Sequence, residues 1–137
     1  MGFLSNVAKG FRAIEEGRRT AEAFLYVERH FGIRLSHQVR QAAYPAVARM
    51  ADYASVPDMA LEYLTAYGRM LVRLGDGLPA GQRASAASQF TLLSRKLAEL
   101  LERGEDLHPY NLVPFIDAAN ALGADTSMIV LSRSKPQ

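Results

Sequence analysis

Hydrophobic residues recur along this chain with the period of about 3.6 residues that is typical of amphipathic helices. Together with start and stop signals, the pattern predicts helices at about 3–16, 20–31, from 36 onward, 57–74, 82–103 and 112–122. The last apolar residues predict a short seventh helix from Asp125 or Thr126 to Leu131, and a strand over 128–131 is the alternative. Short connections predict one compact all-α domain over residues 1–131, a bundle of six to seven helices, and residues 132–137 are expected to fray.

The segment 57–74 carries its polar residues along one narrow stripe. The stripe consists of Asp58, Glu62, Thr65, Arg69 and Arg73, and nearly all other positions are apolar. A helix that is apolar on nearly all sides is buried on nearly all sides. We therefore expect this helix at the centre of the bundle, with a homodimer interface as the alternative. Ser55 and Asp58 form an S-x-x-D capping pattern that predicts where it begins.

Glycine and proline predict most of the remaining boundaries. We expect Gly17 to end the first helix, Thr20 to cap the second and Gly32 to end it in the left-handed conformation. Pro45 lies inside the third predicted helix and should kink it or end its first part. The glycine-rich stretch 75–81 predicts a loop, and Asn111 is the expected cap of the sixth helix.

Composition excludes several protein classes. The chain of 137 residues has no Cys, so a disulfide-stapled domain, a zinc finger and a thiol enzyme are all excluded. Its 49% hydrophobic content is too high for a disordered chain, and no apolar run reaches the roughly 18–20 residues of a membrane span. The N-terminal residues have neither the apolar core of a secretion signal nor the Ser or Thr that myristoylation requires, because Asn6 stands there. A cytoplasmic location is the default expectation.

The net charge is +2, and the charged residues are distributed unevenly along the chain. Residues 1–50 contain eight bases and four acids, and residues 51–104 contain six of each. Residues 105–137 contain two bases and four acids. The basic N-terminal part has a modest ability to attract nucleic acid or an acidic membrane.

No catalytic motif is present in the sequence. It lacks both glycine-rich phosphate-binding patterns, the H-E-x-x-H zinc motif and the G-x-S-x-G nucleophile motif. Glu105 and His108 match E-x-x-H once, but the pair falls in a predicted loop before Pro109, where His108 is expected to cap the following turn. We therefore expect a protein that is not an enzyme, with no catalytic residue, no metal and no cofactor.

Three binding hypotheses remain, and binding to another protein is the first of them. Five Met and six Tyr in a chain without Trp supply adaptable and amphipathic contact residues. The protein would then be an adaptor, an inhibitor or an assembly subunit, and a homodimer is one form of this hypothesis.

The second hypothesis is a nucleic-acid-binding regulator that uses a helix-turn-helix-like unit at about 24–44. Gly32 provides the turn, Ser36 caps the second helix, and the side chains offered to nucleic acid are Arg34, Ser36, His37, Gln38, Arg40 and Gln41. Glu28 stands where close packing of the two helices requires a small residue, and the turn is one residue too long. Both features count against this interpretation.

The third hypothesis is a membrane-surface helix over residues 2–16. Its apolar face consists of Phe3, Leu4, Val7, Phe11 and Ile14, and the same face would serve a protein partner equally well. Lys9 and Arg12 favour anionic lipid, whereas Glu15 and Glu16 oppose it. Membrane binding is the least favoured hypothesis, because we expect this face to cover the core of the bundle.

Overall fold

The computed structural model describes residues 2–130, including the side chains of residues 9–75 and 77–130. Within that part the fold is all-helical and has no strand, which confirms the all-α class. Five α-helices form it, fewer than the six to seven that the sequence predicted. They are α1 (Gly2–Tyr26), α2 (His37–Arg49), α3 (Val56–Leu74), α4 (Ala80–Glu102) and α5 (Pro109–Ala121).

The first two predicted helices are one continuous helix, α1. The stop predicted at Gly17 was wrong, because one glycine inside a helix costs only about 1 kcal/mol relative to alanine. Thr20 does not cap a new helix either, since its hydroxyl lies 3.0 Å from the carbonyl of Glu16 and 2.9 Å from that of Gly17. A single π-helical turn, Val27–Phe31, follows α1 and ends at Gly32, whose φ of 69° is the left-handed conformation expected there.

The predicted seventh helix does not form in the part of it that the structure describes. Residues 128–130 are neither helix nor strand. The side chain of Asp125 accepts a hydrogen bond of 2.9 Å from the backbone of Ser127, and the amide of Ile129 bonds the carbonyl of Thr126 at 3.0 Å. These local bonds close turns in place of a helix. Leu131 and the predicted tail 132–137 lie outside the described residues.

Helix α3 packs against α1, α2 and α5 and fills the core. Its fully buried side chains are Met59, Ala60, Leu61, Leu64 and Thr65. The one polar group among them is satisfied within the helix, because the hydroxyl of Thr65 donates to the carbonyl of Leu61 at 2.9 Å.

Gly68 on α3 allows α4 and α5 to approach closely. A Cβ atom at this position would lie 3.0 Å from the Phe90 ring on α4 and 3.2 Å from the Cβ of Ala118 on α5. Phe90 is fully buried and stacks on Phe115, with ring centroids 5.9 Å apart. The absence of a side chain at Gly68 therefore sets the spacing of these three helices.

The start of α3 is tied to the start of α5. The hydroxyl of Ser55 accepts from the amide of Asp58 at 3.2 Å, as the capping pattern predicted. The carboxylate of Asp58 also accepts from the amide of His108 at 2.9 Å, fifty residues further along the chain. His108 itself caps α5, since its Nδ1 accepts from the amide of Tyr110 at 3.2 Å. Helix α5 therefore begins at Pro109, and the prediction of Asn111 as its cap was wrong.

Helix α2 runs through Pro45 without a break and ends at Arg49. Residues 50–54 follow the end of α2 and form a bend. Arg19 of α1 holds this bend by donating to the carbonyls of Ala51 and Ala54. A side chain that is distant in sequence thus satisfies backbone groups that the helix does not use.

Candidate binding surface on α1 and α2

In the N-terminal half of α1, the described side chains lie outside the packed core. Every described side chain from Lys9 to Glu15 is exposed, with Phe11 at 69% and Ile14 at 70%. The buried face of α1 starts only at Thr20 and continues with Ala23 and Val27. We call residues 2–16 the projecting half of α1.

The expectation that the apolar face of residues 2–16 covers the core was wrong for Phe11 and Ile14. Helix α1 is roughly 37 Å long at about 1.5 Å per residue, and among the described residues Arg19 and Thr20 make its first hydrogen bonds to other parts of the fold. The side chains of Phe3, Leu4 and Val7 lie outside the described residues.

Charged residues flank the projecting half on its exposed side. Arg18 forms ion pairs with Glu15 and Glu22, one turn away in each direction. The hydrogen bond from Arg18 lowers the pKa of the Glu15 carboxyl. Glu15, Arg18 and Glu22 follow Phe11 at intervals of four, seven and eleven residues, so they share its side of the helix. A row of paired charges therefore borders the exposed apolar side chains.

A groove lies between α1 and α2, with a volume of about 500 Å³. Helix α1 contributes Gly17, Thr20, Ala21, Phe24 and Leu25 to its lining. Helix α2 contributes His37, Arg40, Gln41 and Tyr44, and Tyr63 of α3 completes it. We call this feature the α1–α2 groove. Among the described residues, no Asp or Glu lines it.

Arg40 is the one permanent charge in the described lining of the groove. The central carbon of its guanidinium lies 4.4 Å from the centroid of the Phe24 ring, a cation–π distance. Its Nε is buried and has no hydrogen-bond partner in the part of the chain that the structure describes. The Phe24 ring is held in turn by an edge contact with Tyr63, at 6.2 Å between centroids.

Two tyrosines lie close to this guanidinium. Burial raises the pKa of the Tyr63 hydroxyl, the neighbouring Tyr44 raises it further, and the charge of Arg40 lowers it. The hydroxyl of Tyr63 donates to the carbonyl of Thr20 at 3.5 Å. Arg40, Tyr44 and Tyr63 thus add polar groups to those of His37 and Gln41 in the lining of the groove.

The residues proposed to contact nucleic acid divide into three groups in the structure. The hydroxyl of Ser36 is engaged as the cap of α2 and accepts from the amide of Val39 at 3.3 Å. Arg34, His37, Gln38 and Gln41 are exposed. Arg40 is partly buried against Phe24, so its side chain faces the groove.

The groove and the projecting half form one surface. Ile14, Ala21 and Leu25 follow each other at seven and four residues, which keeps them on one side of α1. Leu25 is 44% exposed, and Ala21 is also exposed. Sequence reasoning did not include Phe24, Leu25, Tyr44 and Tyr63 among its candidate site residues. The spacing of Ile14, Ala21 and Leu25, which places them on one side of a helix, was the signal in the sequence that could have indicated this surface.

Within residues 2–130, no group of three or more His, Asp and Glu side chains is arranged to hold a metal ion. No helix in the same part combines the length and apolar content needed to cross a membrane. Comparisons with protein-family models, with curated proteins and with solved structures gave no match for this chain.

Proposed function

We propose that this protein is a non-enzymatic interaction module that binds a partner protein through the projecting half of α1. The exposure of Phe11 and Ile14, at 69% and 70%, supports this most directly. Burying such side chains stabilises a complex by roughly 1.5–3 kcal/mol each. An amphipathic helix that lies in an apolar groove of its partner is a common way to use such a face. The module would act as an adaptor, an inhibitor or an assembly subunit.

The charges around Phe11 favour a protein partner over a lipid surface. Glu15 and Glu22 share the exposed side of α1 with Phe11 and pair with Arg18. At the rim of a protein interface such an ion pair remains hydrated, and polar rims are usual there. On an anionic membrane the same carboxylates would oppose the headgroups.

Affinity capture with a matched pair of variants tests the proposal. The double variant Phe11→Ser with Ile14→Ser removes the two exposed anchors. The control is Leu92→Ser, which removes a side chain 53% exposed on α4. We expect a protein retained by the parent and the control to bind the double variant at least tenfold more weakly with purified components. If the control loses the protein equally, or if the double variant retains it, the proposal fails.

The same variants also test whether the partner is a second copy of this chain. Light scattering during gel filtration would then show a dimer for the parent and a monomer for the double variant. Flotation with phosphatidylglycerol vesicles tests the membrane alternative, because binding that the double variant loses there would replace the protein partner by a lipid surface.

Nucleic-acid binding is the second candidate function. The exposure of Arg34, His37, Gln38 and Gln41 around the start of α2 favours it. Phosphate contacts make affinity fall steeply as salt rises, so duplex DNA is titrated at low and at moderate salt. If duplex DNA does not bind at low salt, this candidate is excluded. If Arg34→Ala with Gln38→Ala leaves specific binding unchanged, the assigned residues are wrong.

A further inference from the structure

We propose that the α1–α2 groove is a binding site for an amphiphilic carboxylate, a small molecule with an apolar chain or ring and one acid group. The site goes beyond the partner-binding role of the projecting half, because the groove residues Phe24, Arg40 and Tyr44 lie outside residues 2–16.

The size and the walls of the groove suit such a molecule. Its volume of about 500 Å³ falls within the roughly 300–1,000 Å³ of small-ligand sites. Phe24, Leu25, Tyr44 and Tyr63 supply aromatic and aliphatic surface for an apolar body. A few polar groups among mostly apolar walls are the usual composition of a small-molecule site.

Arg40 supplies the recognition of the acid group. The central carbon of its guanidinium lies 4.4 Å from the centroid of the Phe24 ring, and this cation–π contact holds the group at the wall of the groove. No Asp or Glu of the described residues lines the groove, so no carboxylate of the lining neutralises this guanidinium. The planar fork of arginine matches the two oxygens of a carboxylate.

Charge selects a carboxylate over a phosphate monoester. Arg40 is the one permanent cation in the described lining, and no Asp or Glu lies beside it there. A carboxylate brings one negative charge and leaves no excess. A phosphate monoester brings about 1.5–2 negative charges at neutral pH, and part of that charge would be left among apolar walls.

Binding of decanoate to the full chain tests the proposal, with decan-1-ol as the uncharged probe. Both are used below the concentration at which they aggregate, and binding is followed by titration calorimetry and by the ring resonances of Tyr44 and Tyr63. We expect saturable binding of one decanoate, at least tenfold tighter than decan-1-ol. Absence of saturable decanoate binding, or equal affinity for the two probes, overturns the proposal.

Two variants locate the site. Arg40→Gln is expected to remove the preference for decanoate, while Arg34→Gln, an exposed arginine outside the groove, is expected to leave it intact. Ala21→Phe fills the groove and should abolish binding of both probes, which keeps the test decisive if Arg40→Gln fails to fold. If Arg34→Gln weakens decanoate as much as Arg40→Gln does, the site is not the groove.

One more measurement separates this proposal from the partner-binding role. The variant with Phe11→Ser and Ile14→Ser should bind decanoate as the parent does, because neither residue lines the groove. If this double variant loses decanoate binding, the groove is not a site of its own and the proposal fails.

Discussion

Helix α3 and the projecting half of α1 both carry large apolar side chains, but these side chains have opposite surroundings. Helix α3 buries Met59, Leu61 and Leu64 completely against its neighbours. The projecting half leaves Phe11 and Ile14 mostly in water. The difference lies in what the rest of the chain places around each helix.

Burial of a hydrophobic side chain contributes free energy in α3 but not in the projecting half of α1. A fully buried Leu or Phe contributes roughly 1.5–3 kcal/mol relative to the same side chain left in water. In α3 this contribution stabilises the fold, whereas at Phe11 and Ile14 it remains available for a complex. Under the proposed function, α3 uses its hydrophobic side chains for folding and the projecting half uses Phe11 and Ile14 for binding.

The largest expected effect comes from comparing one substitution in the core beside α3 with one in the projecting half of α1. Phe90→Ala removes a fully buried ring that packs against Tyr67 and Gly68 of α3, and we expect it to cost about 3–5 kcal/mol of unfolding free energy. Phe11→Ala should change that free energy by less than about 0.5 kcal/mol, since its ring is 69% exposed. Urea unfolding followed by circular dichroism measures both. A large loss from Phe11→Ala would show that the projecting half packs against the fold in solution.

The sequence predicted α3 well because its signals are local. Ser55 and Asp58 mark its start, and the stripe of polar residues through Glu62 and Arg69 indicates that its other sides are buried. The observed bounds, Val56–Leu74, differ from the predicted ones by one residue. The link from Asp58 to His108 was invisible, because a hydrogen bond across fifty residues depends on the tertiary fold.

The predicted helix boundaries were wrong where a glycine lies inside a continuous helix. Gly17 and Thr20 suggested a boundary, but α1 continues through both. As a result, residues 3–16 were expected to fold back onto the core instead of projecting from it. The orientation of Arg40 toward Phe24 also could not be predicted, because it depends on how α1 and α2 pack together. Periodicity identifies an apolar face but does not say whether this chain or another molecule covers it.

Replacing a glycine by alanine is expected to change stability less, and with opposite sign in the two regions. Gly68→Ala adds a Cβ that would lie 3.0 Å from the buried Phe90 ring, so we expect a loss of about 1–2 kcal/mol even after the gain in helix propensity. Gly10→Ala adds a Cβ that meets nothing within 4 Å, and it should stabilise α1 by up to about 1 kcal/mol. Urea unfolding measures the first change, and amide hydrogen exchange in α1 measures the second. The same sign for both would contradict this comparison.

The smallest expected effect is a contrast in pH dependence between Glu62 of α3 and Glu15 of α1. Burial raises the pKa of Glu62, although Arg69 and Arg49 oppose the shift. The ionised form of Glu62 therefore destabilises the fold at neutral pH, and this penalty disappears as the pH falls and Glu62 becomes protonated. Arg18 lowers the pKa of Glu15, so its ionised form stabilises α1, and this contribution is lost as the pH falls through the lowered pKa. In urea unfolding, Glu62→Gln should therefore be slightly more stable than the parent at pH 7. Glu15→Gln should be slightly less stable there, and both should converge on the parent in acid. A Glu62→Gln variant that is less stable than the parent at pH 7 would mean that the two arginines outweigh burial.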